Sequence, residues 1–426
     1  MGIYRINGGR KLFGEVKISG AKNAVLPILA ASVITKGENI FELCPEISDV
    51  DSMLKILSAL GCSVEKDGDK IKVDATGISR WKIPDELMKE MRSSVFLAGS
   101  LLSRFGEAVI SNPGGCNIGK RPIDIHINGL KQMGAEIERT VDSIIIKADR
   151  LKPAKIKLEY PSVGATENLL LAAVSAKGKT IIENSAREPE IIDLQDYINK
   201  CGGCVSGAGT GRIEVYGGKS LRGCIYKIMP DRIEAGTYAL MAAAAGGKVK
   251  LQGAQGKYFE SFINILKQGG LNLNCTENDI TLESEGNEVI SADISTAPYP
   301  GFPTDLQPQI VSMLCKNGKS CVIEENIFEN RFEYLKQLIK MGADVEISGK
   351  QVIIKNNNIL YGTSVEAKDL RGGAALLIAG LSAQGITHIY NTKYIKRGYS
   401  RLEDKLGLIG GEITEYEEEQ SYRKKY

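Results

Sequence analysis

The sequence predicts an α/β protein of two similar domains, each built from three helix-strand-helix-strand-strand units. Three observations predict it. A helical run that ends in Gly plus a small residue, followed by strand–turn–strand, recurs six times along the 426 residues. An apolar helix, a short glycine turn and a strand precede each copy. Finally, the copies repeat in register. The first turn glycines Gly61 and Gly269, Gly134 and Gly342, and Gly202 and Gly410 are each 208 residues apart (269 − 61, 342 − 134, 410 − 202).

The six copies span residues 54–73, 129–147, 194–216, 262–283, 335–354 and 402–416. In each, the glycine suits the left-handed residue just past a helix, where a side chain would be strained. The run after it alternates apolar and polar residues, as in Asp344-Val345-Glu346-Ile347 and Gln351-Val352-Ile353-Ile354. That pattern predicts a hairpin with one buried face. The preceding helix–turn–strand elements turn near Gly37, Gly106, Gly178, Gly247, Gly318 and Gly385. Three units then make a first domain over residues 22–229. The strand region 1–21 joins residues 230–426 in a second, so the chain crosses twice between domains. Two crossings limit motion to a hinge, which suits closure on a ligand.

Composition excludes several classes. Hydrophobic residues are 43%, charged residues 25%, and the net charge is +2, ordinary for a soluble globular chain and no polyelectrolyte signal for nucleic acid. The nine scattered cysteines suit a reducing cytosol rather than a disulfide framework. Cys201 and Cys204 have redox-motif spacing, but Gly202-Gly203 between them belongs to the repeated turn, so they read as structural. His126 and His388 are the only histidines, too few for a histidine-rich zinc site. No signal core and no stretch of about 20 apolar residues is present, so a cytoplasmic location without a membrane partner is expected.

Unusual residues cluster just before the first helix of each unit: Lys22-Asn23, Arg92-Ser93-Ser94, Ser162-Val163-Gly164, Asp231-Arg232, Thr304-Asp305 and Asp369-Leu370-Arg371. Helix N-termini carry free N–H groups and partial positive charge, and cations there reinforce a field suited to anions. For Ser93 and Ser162, capping is an equal reading. The segment Asn112-Pro113-Gly114-Gly115-Cys116-Asn117-Ile118-Gly119-Lys120-Arg121-Pro122 is too rich in Gly and Pro for a helix or central strand. It presents Cys116 beside Lys120 and Arg121, and adjacent cations favour the thiolate. A second stiff loop, residues 298–307, delivers Asp305 to the start of an apolar helix. Asp305 is there either a helix cap or a general base.

Taken in order, these segments resemble the enolpyruvyl transferases that act on UDP-N-acetylglucosamine. The resemblance covers essentially the whole chain. It rests on Gly20-Ala21-Lys22-Asn23-Ala24, Pro113-Gly114-Gly115-Cys116 with Ile118-Gly119 and Arg121-Pro122, and the run from Ser162 to Asn168. It continues through residues 299–305, Phe328-Glu329-Asn330-Arg331-Phe332, Asp369-Leu370-Arg371-Gly372-Gly373 and Arg397-Gly398-Tyr399. It implies an inside-out α/β barrel fold, with the active site between two three-unit domains. It implies that the sugar 3-hydroxyl attacks C2 of phosphoenolpyruvate, that C3 is protonated, and that phosphate then leaves. By the same resemblance Lys22, Asn23, Arg121, Arg371 and Arg397 hold phosphoenolpyruvate. Cys116 is a proton donor that can form a covalent adduct at C2, and Asp305 orients or deprotonates the sugar hydroxyl. Arg92, Arg121, Pro122, Ile123, Asp124, Ile125, Ser162, Val163, Gly164, Asp305 and Ile327 match positions that hold the UDP-sugar. Neither metal nor cofactor is implied, and the product enters peptidoglycan synthesis.

Two residues depart from the family pattern: Asn112 stands where an apolar residue is expected, and Lys120 where a small one is common. The same fold also serves the enolpyruvylshikimate phosphate synthases, which lack the cysteine loop. A non-catalytic UDP-sugar-binding paralogue is the other reading, and retention of Lys22, Cys116, Arg121, Asp305 and Arg397 weighs against it. The charged tail, residues 417–426, is expected to be peripheral.

Overall fold

The computed structural model describes residues 2–90, 95–111, 123–288, 292–355 and 359–417. The chain divides into two compact units, one within residues 19–229 and one formed by residues up to 18 with those from 230 onward. Both are mixed α/β, and both are organised around three helices that pack on one another.

In the first unit those helices are Lys22–Ser32, Leu97–Phe105 and Val163–Ala173. In the second they are Arg232–Ala245, Gln307–Asn317 and Leu370–Ser382. Their sequences are mostly apolar or small, so most of each helix is buried around its circumference. Every residue from Arg371 to Ser382 is buried. Each leucine so buried contributes about 1.5–3 kcal/mol relative to exposure. Small residues let the helices approach closely. A Cβ on Gly99 would lie 2.2 Å from the Asn168 carbonyl oxygen, so any side chain there would push Leu97–Phe105 off Val163–Ala173. Asn168 also accepts from the Gly99 N–H at 2.5 Å, which fixes that crossing.

Outside them lie amphipathic helices and sheets. Pro189–Lys200 starts with proline in its first turn, where no intrahelical donor is lost, and buries Ile191, Leu194, Tyr197 and Ile198 along one stripe. In the first unit, Ile225–Lys227, Glu38–Glu42, Lys70–Asp74 and Ser63–Asp67 form one four-stranded sheet in that order. Lys155–Lys157 joins the third repeat's strands in the same way, parallel to Gly178–Glu183. A single parallel bridge, Lys82 to Val109, takes the corresponding place in the second repeat. The second unit repeats the plan, with Leu12–Lys17 parallel to Gly247–Gln252 and Ile294–Ser295 parallel to Cys321–Glu324.

All six repeated turns close in one way. The N–H of the left-handed glycine bonds the carbonyl three residues back, and the next N–H bonds the carbonyl five back. Examples are Gly61 to Ser58 with Cys62 to Leu57, and Gly410 to Gly407 with Gly411 to Leu406. One position differs from the sequence expectation. In the fourth turn Gly269 has φ −72° and continues the helical end, and Gly270, at φ +86°, is the left-handed residue. The 208-residue spacing therefore holds for the left-handed residues of two pairs and becomes 209 (270 − 61) for the third. Gly318, expected at a turn, has φ −83° and extended backbone.

The sixth repeat holds the larger difference. Among the described residues after Gly410 there is one strand, Glu412–Glu417, and no hairpin. Its antiparallel partner is the N-terminal strand Gly2–Asn7, which also pairs with Ile386–Tyr390. Ile3 and Ile6 of that strand supply buried side chains that the Glu-rich sequence after Glu415 cannot. The expected hairpin forms, with Val345–Ser348 antiparallel to Gln351–Ile354, Val352 and Ile354 buried and Ile347 exposed.

Candidate functional site

In the second unit, the junctions singled out before each central helix come together. Asp231 caps Arg232–Ala245 by accepting from the N–H groups of Ile233 and Glu234 at 2.8 and 3.0 Å. Asp369 caps Leu370–Ser382 through the N–H groups of Arg371 and Gly372 at 3.0 and 2.9 Å. Asp305 behaves differently. It sits in a single 3-10 turn, Thr304–Leu306, and neither flanking cap position, Pro303 or Leu306, makes a side-chain cap bond. Its carboxylate instead accepts from Arg331 Nη2 at 3.0 Å on one oxygen and from Arg371 Nη2 at 2.9 Å on the other. Both guanidiniums are buried, with 3% and 5% of their side-chain surface exposed, whereas Asp305 keeps 28%. The result is a carboxylate fixed by two buried cations and still partly exposed.

Burial opposes the charge on Arg371, but Asp305 and the nearby Tyr399 and Asp231 hold its pKa above the usual arginine value. The loop beside Asp305 is also fixed. Buried Glu325 accepts from the Thr304 hydroxyl at 3.0 Å and from the N–H groups of Ile327 and Phe328 at 2.8 and 3.1 Å. Ile327, half-buried, is thereby held next to the residue before Asp305. Arg397 ends the 3-10 helix Thr392–Arg397 and is half-buried.

In the first unit, Lys22 opens Lys22–Ser32 and its ammonium pairs with Asp49 Oδ2 at 2.7 Å, with 12% and 8% of the two side chains exposed. Asn23 beside it is half-buried. Ser162 caps Val163–Ala173: its hydroxyl accepts from the Ala165 N–H at 3.3 Å, so the capping reading holds for this serine. Val163 and Gly164 follow, half-buried. A Cβ on Gly164 would lie 3.3 Å from His126 Cε1, which places the 123–126 segment against the 162–164 segment. His126 is buried, bonds Asn168 through Nδ1 at 3.1 Å, and burial lowers its pKa to about 4, so it is neutral near pH 7. Ile123 and Ile125 are half-buried, and Asp124 is exposed and paired with Arg139 at 2.7 Å. Arg92, Cys116, Arg121 and Pro122, like Ser93, Ser94, Asn112 and Lys120, lie outside the described residues.

Sequence reasoning missed three groups. Arg331 and Tyr399 lie within motifs that carry the resemblance but have no role assigned from sequence, and Asp49 lies in none of them. The only local signal for Arg331 was its place next to Phe332 in a segment that otherwise reads as a polar turn. The cysteines also rearrange: the sulfur near Cys201 is that of Cys224, at 3.5 Å. Among the described residues no group of three or more His, Cys, Asp and Glu side chains could hold a metal, and no helix is long and apolar enough to cross a membrane.

The EPSP synthase (3-phosphoshikimate 1-carboxyvinyltransferase) family model matches residues 6–406. UDP-N-acetylglucosamine 1-carboxyvinyltransferase 2 of Caldanaerobacter subterraneus subsp. tengcongensis is 46% identical over 414 residues, covering 97% of this chain and 99% of the relative. UDP-N-acetylglucosamine 1-carboxyvinyltransferase 1 of Carboxydothermus hydrogenoformans is 44% identical over 420 residues, covering 98% and 99%. Among solved structures, the enolpyruvyl transferase NikO from Streptomyces tendae superposes with a TM-score of 0.88 at 23% identity, covering 97% of this chain and 98% of that one. EPSP synthase from Acinetobacter baumannii gives 0.75 at 20% identity, covering 98% and 100%. At such identities the structural likeness is one of fold. The chain therefore belongs to the EPSP synthase family, in the branch of the UDP-N-acetylglucosamine 1-carboxyvinyltransferases.

Proposed function

We propose that this protein transfers the enolpyruvyl group of phosphoenolpyruvate to the 3-hydroxyl of UDP-N-acetylglucosamine and releases phosphate. The observation that carries this is 46% identity to a transferase of that name over nearly the full length of both chains. In the reaction the sugar oxygen bonds to C2 of phosphoenolpyruvate while C3 takes a proton. The tetrahedral ketal then loses a proton from C3 as the C2–O bond to phosphate breaks, which restores the double bond.

Asp305 is the group that aligns the 3-hydroxyl and takes its proton. Its two-arginine anchor supports this, because it leaves the carboxylate fixed in direction. Lys22, Arg121, Arg371 and Arg397 oppose the phosphate and carboxylate charges of phosphoenolpyruvate, with Asn23 as a neutral donor beside Lys22. Fixed cations of this kind lower the cost of charge that develops in the transition state. Arg92, residues 121–125, Ser162, Val163, Gly164 and Ile327 hold the UDP-sugar. The functional domains are residues 22–229 and 1–21 with 230–426, in the inside-out barrel arrangement of three repeats each. The reaction is cytoplasmic, commits the sugar to peptidoglycan, and so bears on cell shape and division.

Cys116 donates the proton to C3 and forms an adduct at C2, which makes it the target of the epoxide fosfomycin. The other thiols compete poorly. Burial pushes Cys44 and Cys315 up to about 12 and Cys62 and Cys321 up to about 11. Cys224 is the strongest competitor, since the hydrogen bond from Cys201 lowers its thiol pKa. Peptide mapping after brief epoxide treatment with UDP-N-acetylglucosamine should find the adduct on Cys116. Equal labelling of Cys224 or Cys315 would refute the assignment. The function itself is tested by phosphate release from phosphoenolpyruvate with each acceptor. Release with UDP-N-acetylglucosamine and none with shikimate 3-phosphate is expected, and the reverse pattern would overturn the reading.

A further inference from the structure

The three central helices of the second unit meet on one hydroxyl group, that of Tyr399. Thr237 Oγ1 reaches it from Arg232–Ala245 at 2.9 Å, Gln309 Nε2 from Gln307–Asn317 at 3.2 Å, and Arg371 Nη1 from Leu370–Ser382 at 3.3 Å. Tyr399 is buried, and its ring lies 5.9 Å from the centre of the Arg371 guanidinium.

Chemistry fixes the direction of each bond. Thr237 gives its own hydrogen to the Ile233 carbonyl at 2.8 Å, so its oxygen is free to accept the Tyr399 hydrogen. The Gln309 amide nitrogen is oriented by its bond to the Asp305 carbonyl at 2.8 Å, so it donates to Tyr399. Arg371 can only donate. The phenol thus gives one hydrogen and accepts two, which uses its full capacity. Burial raises its pKa, so the hydroxyl keeps its proton through the neutral range.

We propose that Tyr399 is a positioning residue for the transfer reaction: its hydroxyl sets Arg371, and through Arg371 the second oxygen of Asp305, at the height where the three helix starts meet. Its saturated hydrogen bonding leaves nothing to offer a substrate, so it acts only through its neighbours. It also lies two residues after Arg397, so the same anchor fixes the chain segment that carries that cation. This inference rests on the assignment of Arg371 to phosphoenolpyruvate above.

The test is steady-state kinetics on Tyr399→Phe, beside Thr237→Val and Arg371→Lys, each first shown by its melting curve to be folded at the assay temperature. Loss of a bond to a charged group is worth about tenfold or more. Tyr399→Phe should therefore raise KM for phosphoenolpyruvate by at least about tenfold, with KM for UDP-N-acetylglucosamine changed less than about twofold. Thr237→Val should shift the same constant in the same direction by less. A hydroxyl that serves stability alone would lower the melting temperature and leave both KM values in place, which would overturn the proposal. If Tyr399→Phe is unchanged while Arg371→Lys is impaired, the positioning role fails and the site assignment stands. If both match wild type, both fail.

Discussion

Asp305→Asn is expected to turn over at least about a hundredfold more slowly than wild type while still binding UDP-N-acetylglucosamine. The substitution keeps the shape of the side chain and one acceptor oxygen, but it removes the charge and the capacity to take a proton. Its structural cost is dominated by the two ion pairs rather than by a lost cap. The cost falls on Arg331 and Arg371, two buried cations that lose a counter-charge and meet an amide NH₂ in its place. A stability loss on the order of 1–3 kcal/mol follows. The variant therefore melts below wild type, and its rate has to be measured well under that temperature. Calorimetric binding of the UDP-sugar to the folded variant separates the two effects. Near wild-type turnover would remove Asp305 from proton transfer. Loss of sugar binding would make it a binding group instead.

Lys22→Met carries the next largest effect. Removing one fixed group that meets developing charge costs about 10²–10³ in rate. The same change takes the Lys22 ammonium from Asp49, whose side chain is 8% exposed, and breaking a buried ion pair costs up to about 3–5 kcal/mol. The two consequences come apart in the double variant Lys22→Met with Asp49→Leu, which removes the buried carboxylate as well. Stability should recover in the double variant and turnover should not. Recovery of both would mean that Lys22 serves the fold alone.

The helical and strand repeat was legible because each unit ends in the same local device, a glycine that can take positive φ. That signal is ambiguous where two glycines adjoin. Gly269 and Gly270 are equally able to be left-handed, and only the length of the helix from Glu260 decides for Gly270. The sixth unit misled for another reason. A strand's partner is chosen by non-local pairing, and the strand that completes the last sheet comes from Gly2–Asn7, some 400 residues away in sequence. The site divides along the same line. Asp305, Arg371 and Lys22 stood out because charged residues at the starts of apolar helices are locally anomalous, and Arg397 stood out only through the family resemblance. Arg331 and Asp49 did not, since their meaning lies in partners 26 and 27 residues distant, Asp305 and Lys22. Tyr399 was hidden more deeply, because a buried tyrosine is indistinguishable in sequence from any core aromatic until its three hydrogen-bond partners are known. The pair of Cys201 and Cys224 was masked by the closer spacing of Cys201 and Cys204.

Enolpyruvyl transfer to the sugar 3-hydroxyl is tested most directly by following the carbon that changes partners. Phosphoenolpyruvate labelled with carbon-13 at C2 is incubated with the protein and UDP-N-acetylglucosamine, and the product is read by carbon NMR. The expected spectrum places the label in a vinyl ether coupled to the proton on the sugar's third carbon, with one free phosphate formed per label transferred. Label that stays in phosphoenolpyruvate, or that appears as free pyruvate with the sugar unchanged, would contradict it.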